Sequence, residues 1–384
     1  MHLTSLQLLE MTETKFREFL ALGIPEGTHL DYKTSLSSKG DKESKREFLK
    51  DISGFANAAG GQLIIGVKEP EDDSAIEARL VGIENGLAHA ASLERLASAS
   101  IEPRIPGLKI FPIKIQNDKH CLIVHIPPSL GRPHMVSHEG HRSFYIRHTE
   151  SIFPMSTHEI RQAVLTSLSA EERARHASND IIQHAIKKTD NNNTNLFIQA
   201  IPLINPDTPW SVLDPDFRKI FRGEIRSKLF EFEPLESNSK FQPTIYGAIC
   251  RNKDSGNPWS CEIRRNGHII LNYQINQTST DQGKKIRHLH SGNVDIFGAF
   301  LTILDDAIEI SGNDAPYLLT SHMTGTYGLQ IWTEDRRPRY SEPYEDNEIV
   351  WPEHMKQTGE AAITLKADFG RELFNAFGYH DVVA

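Results

Sequence analysis

The segment DISGFANAAGGQLIIGV, residues 51–67, decides the fold expected for the N-terminal half of the chain. Apolar residues recur at helical spacing up to and into this segment, which predicts an amphipathic helix that begins near Asp41. Gly60 and Gly61 then end the helix, as glycine commonly does at a helix C-terminus. The apolar run QLIIGV is typical of a buried strand. The sequence therefore predicts a helix, a tight glycine turn and a buried strand in immediate succession.

The flanking patterns extend this unit to a mixed α/β domain. HLDYK, residues 29–33, has the alternation of a strand. Ser156 and Glu159 have the S-x-x-E spacing of a capping box at the start of a helix. The other predicted elements are a helix over about 4–21, strands over Lys109–Ile115, Cys121–Ile126 and 142–148, and a closing helix over 156–168.

The sequence of the second half of the chain predicts a separate α+β region. A polar helix over about 169–188 and the run TDNNNTN are typical of a linker. Strands are predicted in LFIQAIPLI, TIYGAICR, CEIRRNGHIILNYQI and YGLQIWTE, with a hairpin turn at Asn266 and Gly267. A helix over about 294–308 and a short C-terminal helix complete the region. We therefore expect a first domain over 1–168, a linker over 169–194 and an accessory α+β domain over 195–384.

Composition limits the class of protein. The chain has 384 residues, a formal charge of −9 and a hydrophobic content of 38%, as in a soluble globular protein of two or three domains. No apolar run reaches the about 18 residues of a membrane span, and the N-terminus resembles an amphipathic helix more than a signal peptide. Cys121, Cys250 and Cys261 lie far apart, which favours a reducing, cytoplasmic setting over disulfides or a cysteine zinc site. A nucleic-acid binder of this charge has to concentrate its Lys and Arg on one face.

Acidic residues next to the first strand form the candidate site. Glu26 and Asp31 lie five residues apart in PEGTHLDYKTS, and Lys33 follows. A solvated loop edge is the ordinary interpretation of such a stretch. Strand alternation, however, puts Asp31 and Lys33 on one face. Glu69 follows the next predicted strand, so its carboxylate would lie near Asp31 if the two strands are neighbours. Clustered carboxylates repel one another unless a cation joins them, and hard divalent cations promote phosphodiester hydrolysis.

The order and spacing of four blocks resemble those of a known domain family. LDYK, FANAAGGQLIIGVKE, VGIENG and SFYIR follow one another as in the Schlafen AlbA-type domain, and the resemblance covers about residues 10–165. The C-terminal half resembles no family that we can name. The resemblance implies a Schlafen AlbA-like mixed α/β N-terminal domain, to which a second α+β domain is added.

The Schlafen resemblance implies a metal-dependent endoribonuclease that acts on structured RNA, especially tRNA. Its three acidic positions correspond here to Glu26, Asp31 and Glu69, which would hold manganese or magnesium. The family usually has Glu where this chain has Asp31 and often Asp where it has Glu69. Both exchanges keep the negative charge and change the length of the side chain by about one carbon–carbon bond. Lys33 is placed to contact the scissile phosphate or stabilise developing charge. The sequence contains no P-loop motif, so we expect no nucleotide cofactor.

Basic and aromatic residues supply candidate RNA contacts. In the strand RSFYIRH an aromatic and an arginine alternate on one face, where they could stack on and grip RNA; a surface strand with an aromatic cross-strand pair is the alternative. The segment DKESKREFLKD mixes charges in a way that is typical of a solvated helix face, although its cations could line an RNA groove. The candidate RNA-binding residues are Lys42, Lys45, Arg46, Arg142, Tyr145 and Arg147.

Two functions from different classes remain open at this point. The first is a Schlafen-like ribonuclease whose setting, by analogy, is that of a toxin or an antiviral defence effector. The second is a non-catalytic nucleic-acid-binding regulator built on the same domain. Schlafen proteins bind RNA in a horseshoe of two related lobes, whereas this chain has the FANAAGGQLIIGV block once. We therefore expect a homodimer, the commonest closed assembly, unless the second domain supplies the other wall.

Overall fold

The computed structural model describes two compact units. The described residues are 3–35, 41–71, 75–187, 193–206, 209–221, 240–252, 256–281, 284–333 and 339–379. One unit comprises Met1–Ala170 with Gly312–Ala315, and the other comprises Glu171–Ser311 with Pro316–Ala384. Within these described ranges, helices long and apolar enough to cross a membrane are absent.

The first unit combines a mixed sheet with a small antiparallel one. Its helices are α1 (Ser5–Leu9), α2 (Glu13–Ala21), α3 (Asp41–Asn57), α4 (Ile76–Arg79), α5 (Gly86–Ser100) and the first part of α6 (Thr157–Ile186). Its strands are β1 (Leu30–Lys33), β2 (Gly61–Ile65), β3 (Ile101–Glu102), β4 (Lys109–Lys114), β5 (His120–Ile126), β6 (Met135–His138), β7 (His141–His148) and β8 (Ser151–Pro154). The strand orders are β1-β2-β5-β4 and β3-β6-β7-β8.

The segment over residues 51–67 forms the predicted helix, glycine turn and buried strand. Helix α3 ends at Asn57, and β2 follows with all of its residues buried. Gly60 and Gly61 have positive φ, and a Cβ on them would lie 2.6 Å from the Ile126 carbonyl oxygen and 2.4 Å from that of His29, respectively. Only glycine fits such close backbone contacts. The pair is therefore a packing turn.

Helix α3 connects β1 to β2, which run parallel in adjacent positions of the sheet. Such a connection needs a crossover element, and here the amphipathic helix supplies it. Leu63 and Ile65 of β2 pack in the core that α3 and α5 cover, whereas Ile64 packs in the core on the opposite face, with residues of α1 and α2. The apolar run of Leu63, Ile64 and Ile65 thus reflects a strand covered on both faces.

A buried asparagine joins α3 to the small sheet. Asn57 donates through Nδ2 to the carbonyls of His134 and Tyr145, at 2.9 and 2.8 Å, and its Oδ1 accepts the His134 amide at 2.6 Å. These bonds satisfy backbone groups of β7 and of the segment that leads into β6. These three bonds hold the C-terminal end of α3 against β7 and against the segment that leads into β6.

The helices differ from the prediction at two places. The helix expected over about 4–21 is divided into α1 and α2, because Thr4 and Thr12 each cap a new N-terminus. The two helices expected over 156–168 and 169–188 form one continuous helix, α6, whose sequence contains neither glycine nor proline. The predicted capping box is confirmed, since Ser156 and Glu159 bond reciprocally.

The second unit is built on a largely antiparallel sheet. Its other helices are α7 (Pro215–Phe221), α8 (Asp295–Ser311) and α9 (Lys366–Ala376). The strands of the large sheet are β9 (Thr194–Pro202), β10 (Lys240–Pro243), β11 (Gly247–Asn252), β12 (Trp259–Arg264), β13 (Ile269–Ile275), β16 (Tyr317–Thr324), β19 (Glu348–Val350) and β20 (His354–Lys356). The strands of a smaller sheet are β14 (Thr278–Asp281), β15 (Lys284–His290), β17 (Gln330–Thr333) and β18 (Arg339–Tyr340).

The core of the second unit lies between the large sheet and its helices. The large sheet contributes apolar side chains such as Ile198 and Leu271, and the apolar helix α8 contributes Phe300 and Leu304. The predicted hairpin is present, with Gly267 at φ +83° between β12 and β13. The predicted Asn-rich linker falls partly outside the described residues, which omit 188–192. The α+β class is confirmed for both units.

Candidate active site

Strand β1 directs Asp31 and Lys33 to the side of the sheet on which α3 lies. Leu30 and Tyr32 point the other way, into the core formed with α1 and α2, so the predicted alternation is present. The Tyr32 hydroxyl donates to the Ile24 carbonyl at 2.9 Å, which anchors this face of the strand. Asp31 is almost completely buried, at 3% exposure. A buried carboxylate has to be paired, and its partners define the site.

Glu26 reaches back over a tight turn to meet Asp31. The turn is closed by the Gly27 amide, which donates to the Leu30 carbonyl at 2.9 Å. Glu26 Oε1 accepts the Tyr32 amide at 3.0 Å. The Asp31 side chain lies close enough to the Glu26 carboxyl group to raise its pKa. We call Glu26 and Asp31 the acidic dyad.

Burial and negative neighbours make Glu26 the proton carrier. Burial is the largest cause that raises the pKa of Glu26, to about 7. The hydrogen bond to Asp31 and the charges of Asp31 and Glu69 raise it further, whereas the Tyr32 amide opposes them. Near neutral pH Glu26 can therefore lose its proton to water or to a base at little cost.

Two cations lie against the same oxygen of Asp31. Lys33 Nζ is 3.1 Å from Asp31 Oδ2, and Arg147 Nη1 is 3.5 Å from it. Arg147 is fixed by donating to the carbonyls of Gly27 and Leu30, at 2.9 and 3.3 Å. The buried carboxylate thus already has two positive partners.

A further carboxylate, Asp51 on α3, faces the site and was not singled out from the sequence. Its Oδ2 lies 4.0 Å from Lys33 Nζ, and only 14% of its side chain is exposed. Burial raises the pKa of Asp51 to about 6, with a smaller contribution from the charge of Asp31, while Lys33 opposes the shift. A signal was available: Asp51 lies three residues after Phe48 and four before Phe55, on the apolar face of the helix, where a charge needs a partner.

Lys33 lies between the two aspartates. Burial disfavours its charged form, but the charges of Asp51 and then Asp31 outweigh burial and raise the pKa of Lys33. Its side chain remains 45% exposed, so the ammonium group also faces solvent. Lys33 can consequently contact an anion from solvent while it remains bound to the acidic residues.

Glu69 completes the acidic set at longer range. It follows β2 and is exposed, and its charge contributes to the raised pKa of Glu26. In the described part of the chain, no three His, Cys, Asp or Glu side chains are arranged as a ready-made metal-binding group. The donors suit a hard divalent cation, because all are carboxylate oxygens. Glu26 and Asp31 are in contact, whereas Glu69 would have to approach them.

The predicted RNA-binding residues divide into an exposed and a buried group. Lys42 Nζ lies 3.4 Å from Glu139, and Arg46 Nη2 lies 3.4 Å from the ring nitrogens of His141, at the turn between β6 and β7. Arg142 is exposed on the same turn-proximal part of β7. We call Lys42, Arg46 and Arg142 the basic surface. Lys45, the remaining candidate on α3, is half-buried.

Tyr145 and Arg147 require a correction. They share one face of β7 as the alternation predicts, but that face is buried, at 7% and 3% exposure. The Tyr145 hydroxyl is 2.7 Å from His141 Nε2, and the Arg147 guanidinium lies 4.5 Å from the centre of the Phe55 ring. Both side chains are engaged inside the protein. Arg147 therefore belongs to the acidic site and not to an RNA-binding surface.

Comparisons with known proteins found a family and a solved structure that this chain resembles. Residues 26–156 match the family described as Schlafen, AlbA_2, as the order and spacing of the four sequence blocks predict. The solution structure of the N-terminal domain of a RecG-related protein from Nitrosomonas europaea is similar, with 16% sequence identity over 37% of this chain and 90% of that chain and a TM-score of 0.27. No curated protein matches. The domain family indicates a function that involves nucleic acid.

Proposed function

We propose that this chain is a metal-dependent endoribonuclease that cleaves structured RNA such as tRNA. The observation that carries the proposal is the Glu26–Asp31 dyad, in which two carboxyl groups share a partly buried place. Bringing like charges together under partial burial opposes folding, and function is the usual reason for such an arrangement. The Schlafen AlbA_2 match over residues 26–156 supports the same assignment.

In this proposal Glu26, Asp31 and Glu69 hold a manganese or magnesium ion. Such an ion would supply charge neutralisation at the scissile phosphate. Glu26, whose pKa is raised to about 7, would release its proton to solvent at little cost near neutral pH and so become available as a ligand. Lys33, whose ammonium group is half-exposed beside Asp31, contacts a non-bridging phosphate oxygen and stabilises the charge that develops there.

The basic surface directs RNA toward these residues. Lys42 and Arg46 lie on α3, the helix that carries Asp51, and Lys42 precedes Asp51 by about 14 Å along the helix axis. Arg142 adds a third cation from β7, and contacts of this kind to phosphates would position an RNA strand. A chain of net charge −9 needs such a local concentration of cations to bind RNA.

Single-turnover cleavage of tRNA by Asp31→Asn tests the proposal. The substitution keeps the shape and removes a ligand charge, so cleavage should fall by orders of magnitude while RNA binding in calcium stays equal or becomes tighter. Glu43→Gln, an exposed change on α3, is the matched control and should cleave as the wild type does. If correctly folded Asp31→Asn cleaves within about threefold of the wild type, the nuclease assignment is wrong.

One observation favours a second candidate, a non-catalytic nucleic-acid-binding regulator. Asp31 already has Lys33 and Arg147 as positive partners, so its burial does not require a metal ion. In that case RNA or DNA would bind to the basic surface, and Asp31→Asn would alter stability alone. Total tRNA incubated with and without manganese separates the two functions, because a regulator leaves it intact.

We propose a cytoplasmic setting and a role as a toxin or antiviral defence effector. Cys121, Cys250 and Cys261 are buried and none is in a disulfide, although Cys250 and Cys261 are cross-strand partners on β11 and β12, which suits a reducing compartment. The effector role rests on the family alone. The second unit is assigned the part of an accessory domain, either as a substrate clamp or as a sensor of activation.

A further inference from the structure

We propose that Asp51 is a positioning residue, the second anchor that takes the Lys33 ammonium group when a cation occupies Asp31. The inference rests on the proposed metal site and extends it to a side chain that the acidic motif does not include. It follows from the placement of three charged groups: Lys33 Nζ lies 3.1 Å from Asp31 Oδ2 and 4.0 Å from Asp51 Oδ2.

Lys33 and a metal ion compete for the same oxygen. Lys33 Nζ lies 3.1 Å from Asp31 Oδ2, and Arg147 Nη1 lies 3.5 Å from the same oxygen. A divalent cation bound to that oxygen repels an ammonium group at 3.1 Å, because like charges at contact distance in a partly buried place interact strongly. Arg147 is held by two backbone carbonyls, whereas the flexible Lys33 can move.

Asp51 is placed to receive the displaced ammonium group. Its carboxylate also lies within ion-pair distance of Lys33 Nζ, and helix α3 holds it in place with 14% of the side chain exposed. A shift of about 1 Å exchanges the closer contact from Asp31 to Asp51, well within the reach of a lysine rotamer change. Lys33 then stays beside the acidic site, where a phosphate oxygen can meet it, rather than extending into solvent.

The exchange explains why a carboxylate lies on the apolar face of α3. Asp51 shares that face with Phe48 and Phe55, both of which are buried in the core. A negative charge there disfavours folding unless it is paired, and Lys33 lies within ion-pair distance of it. If Asp51 lacked its charge, Lys33 would keep its contact with Asp31 and would compete there with the metal ion.

A double-mutant cycle with Lys33 tests the inference through manganese affinity, without RNA or cleavage. The proteins are the wild type, Asp51→Asn, Lys33→Met and the double variant, titrated with manganese chloride by isothermal calorimetry. Groups that position metal ligands typically change affinity by about 10- to 100-fold when they are lost. We expect Asp51→Asn to weaken manganese binding by about tenfold or more, and Asp51→Glu to restore most of it.

The Lys33→Met background distinguishes positioning from other roles. With no ammonium group to remove from Asp31, Asp51→Asn should leave manganese affinity unchanged in that background. An equal loss in both backgrounds would mean that Asp51 attracts or ligates the ion directly, and the inference would be wrong. Glu47→Gln, an exposed change one turn earlier on α3, is the control for charge removal and should bind as the wild type does.

The outcomes also separate this inference from the proposed function. If the wild type binds manganese and Asp51→Asn binds it equally well, the exchange is refuted while the metal site stands. If the wild type binds no manganese, both the metal site and the exchange are refuted. Melting temperatures of the metal-free variants identify any protein that is not folded, and Asp51→Glu then serves as the folded variant whose affinity decides between these outcomes.

Discussion

The guanidinium of Arg147 lies 3.5 Å from the carboxylate of Asp31, and both side chains are almost completely shielded from solvent. Two backbone carbonyls accept hydrogen bonds from the same guanidinium, which fixes its orientation. Removing one partner of a buried ion pair destabilises a protein by more than the intact pair stabilises it, because the remaining charge is left uncompensated. The pair therefore gives a direct test of the site's architecture.

Arg147→Met should destabilise the chain by about 3–5 kcal/mol, the cost of breaking a buried pair. Arg142→Met, on the same strand but exposed, should change the free energy of unfolding by no more than about 0.5 kcal/mol. Urea denaturation of the two variants and the wild type is the measurement. Similar small effects in both variants would restore Arg147 as a surface residue and contradict the placement described above.

Manganese should raise the melting temperature of the wild type, because an ion that binds the folded chain stabilises it by mass action. The double variant Glu26→Gln, Glu69→Gln removes two ligand charges and should lose most of that rise. A thermal shift assay over a manganese series measures both. Equal rises in the two proteins would place the ion elsewhere.

Stability should fall as pH rises from about 4.5 to 7 in the absence of metal. The pKa of Glu26 is raised from 4.5 to about 7 in the folded chain, so in this window the folded state keeps a proton that the unfolded state has lost. Asp51, raised from 3.8 to about 6, acts in the same direction at lower pH. The free energy that the folded chain gains by holding these protons is present near pH 4.5 and is lost as the pH approaches 7.

Glu26→Gln isolates the contribution of the dyad to this pH dependence. Glutamine resembles the protonated acid and can still donate to Asp31 and accept from the Tyr32 amide. We expect similar melting temperatures for the variant and the wild type at pH 4.5 and a more stable variant at pH 8, in chelator. Glu43→Gln should follow the wild-type curve. A constant offset at all pH values would mean that the Glu26 proton is not linked to folding.

Asn57→Ala should cost more than about 3 kcal/mol, because it leaves two carbonyls and one amide unpaired inside the protein, each worth about 1–3 kcal/mol. The exposed Gln116→Ala is the control and should be nearly neutral. Denaturation measures the cost, and hydrogen exchange at the His134 amide reports the lost bond. Unchanged protection of that amide would show that the bond is not a tether.

Light scattering should return a dimer rather than the 43.3 kDa monomer at micromolar concentration. The FANAAGGQLIIGV block occurs once, so a two-lobed RNA-binding surface of the kind that the family resemblance implies would need a second chain. A monomer across the concentration range would leave that role to the second unit.

Local patterns predicted the parts of the fold that local physics controls. The helix, glycine turn and strand over 51–67 followed from periodicity and from glycine's tolerance of positive φ, and the Ser156 capping box followed from spacing. Alternation placed Asp31 and Lys33 on one face of β1. Each of these depends on residues close together in the chain.

The missed features depend on contacts between distant segments. Alternation on β7 showed that Tyr145 and Arg147 share a face, but not that the face is buried beside Phe55. Asp51 belongs to the site only because β1 runs beside β2 and brings Lys33 to α3. A pattern in one element cannot reveal which partner lies opposite it, and a single sequence offers little other information on pairing.

The bond from Arg147 to the Gly27 carbonyl spans 120 residues of chain. At translation rates of about 5–20 residues per second, the ribosome makes β7 roughly 6–24 s after the turn that carries Glu26. A loop of that length must close before the guanidinium can reach Asp31, which is slow compared with local folding. The nascent polypeptide thus emerges with Asp31 still lacking its Arg147 partner, and a ribosome-bound fragment that ends before β7 cannot have the complete native site.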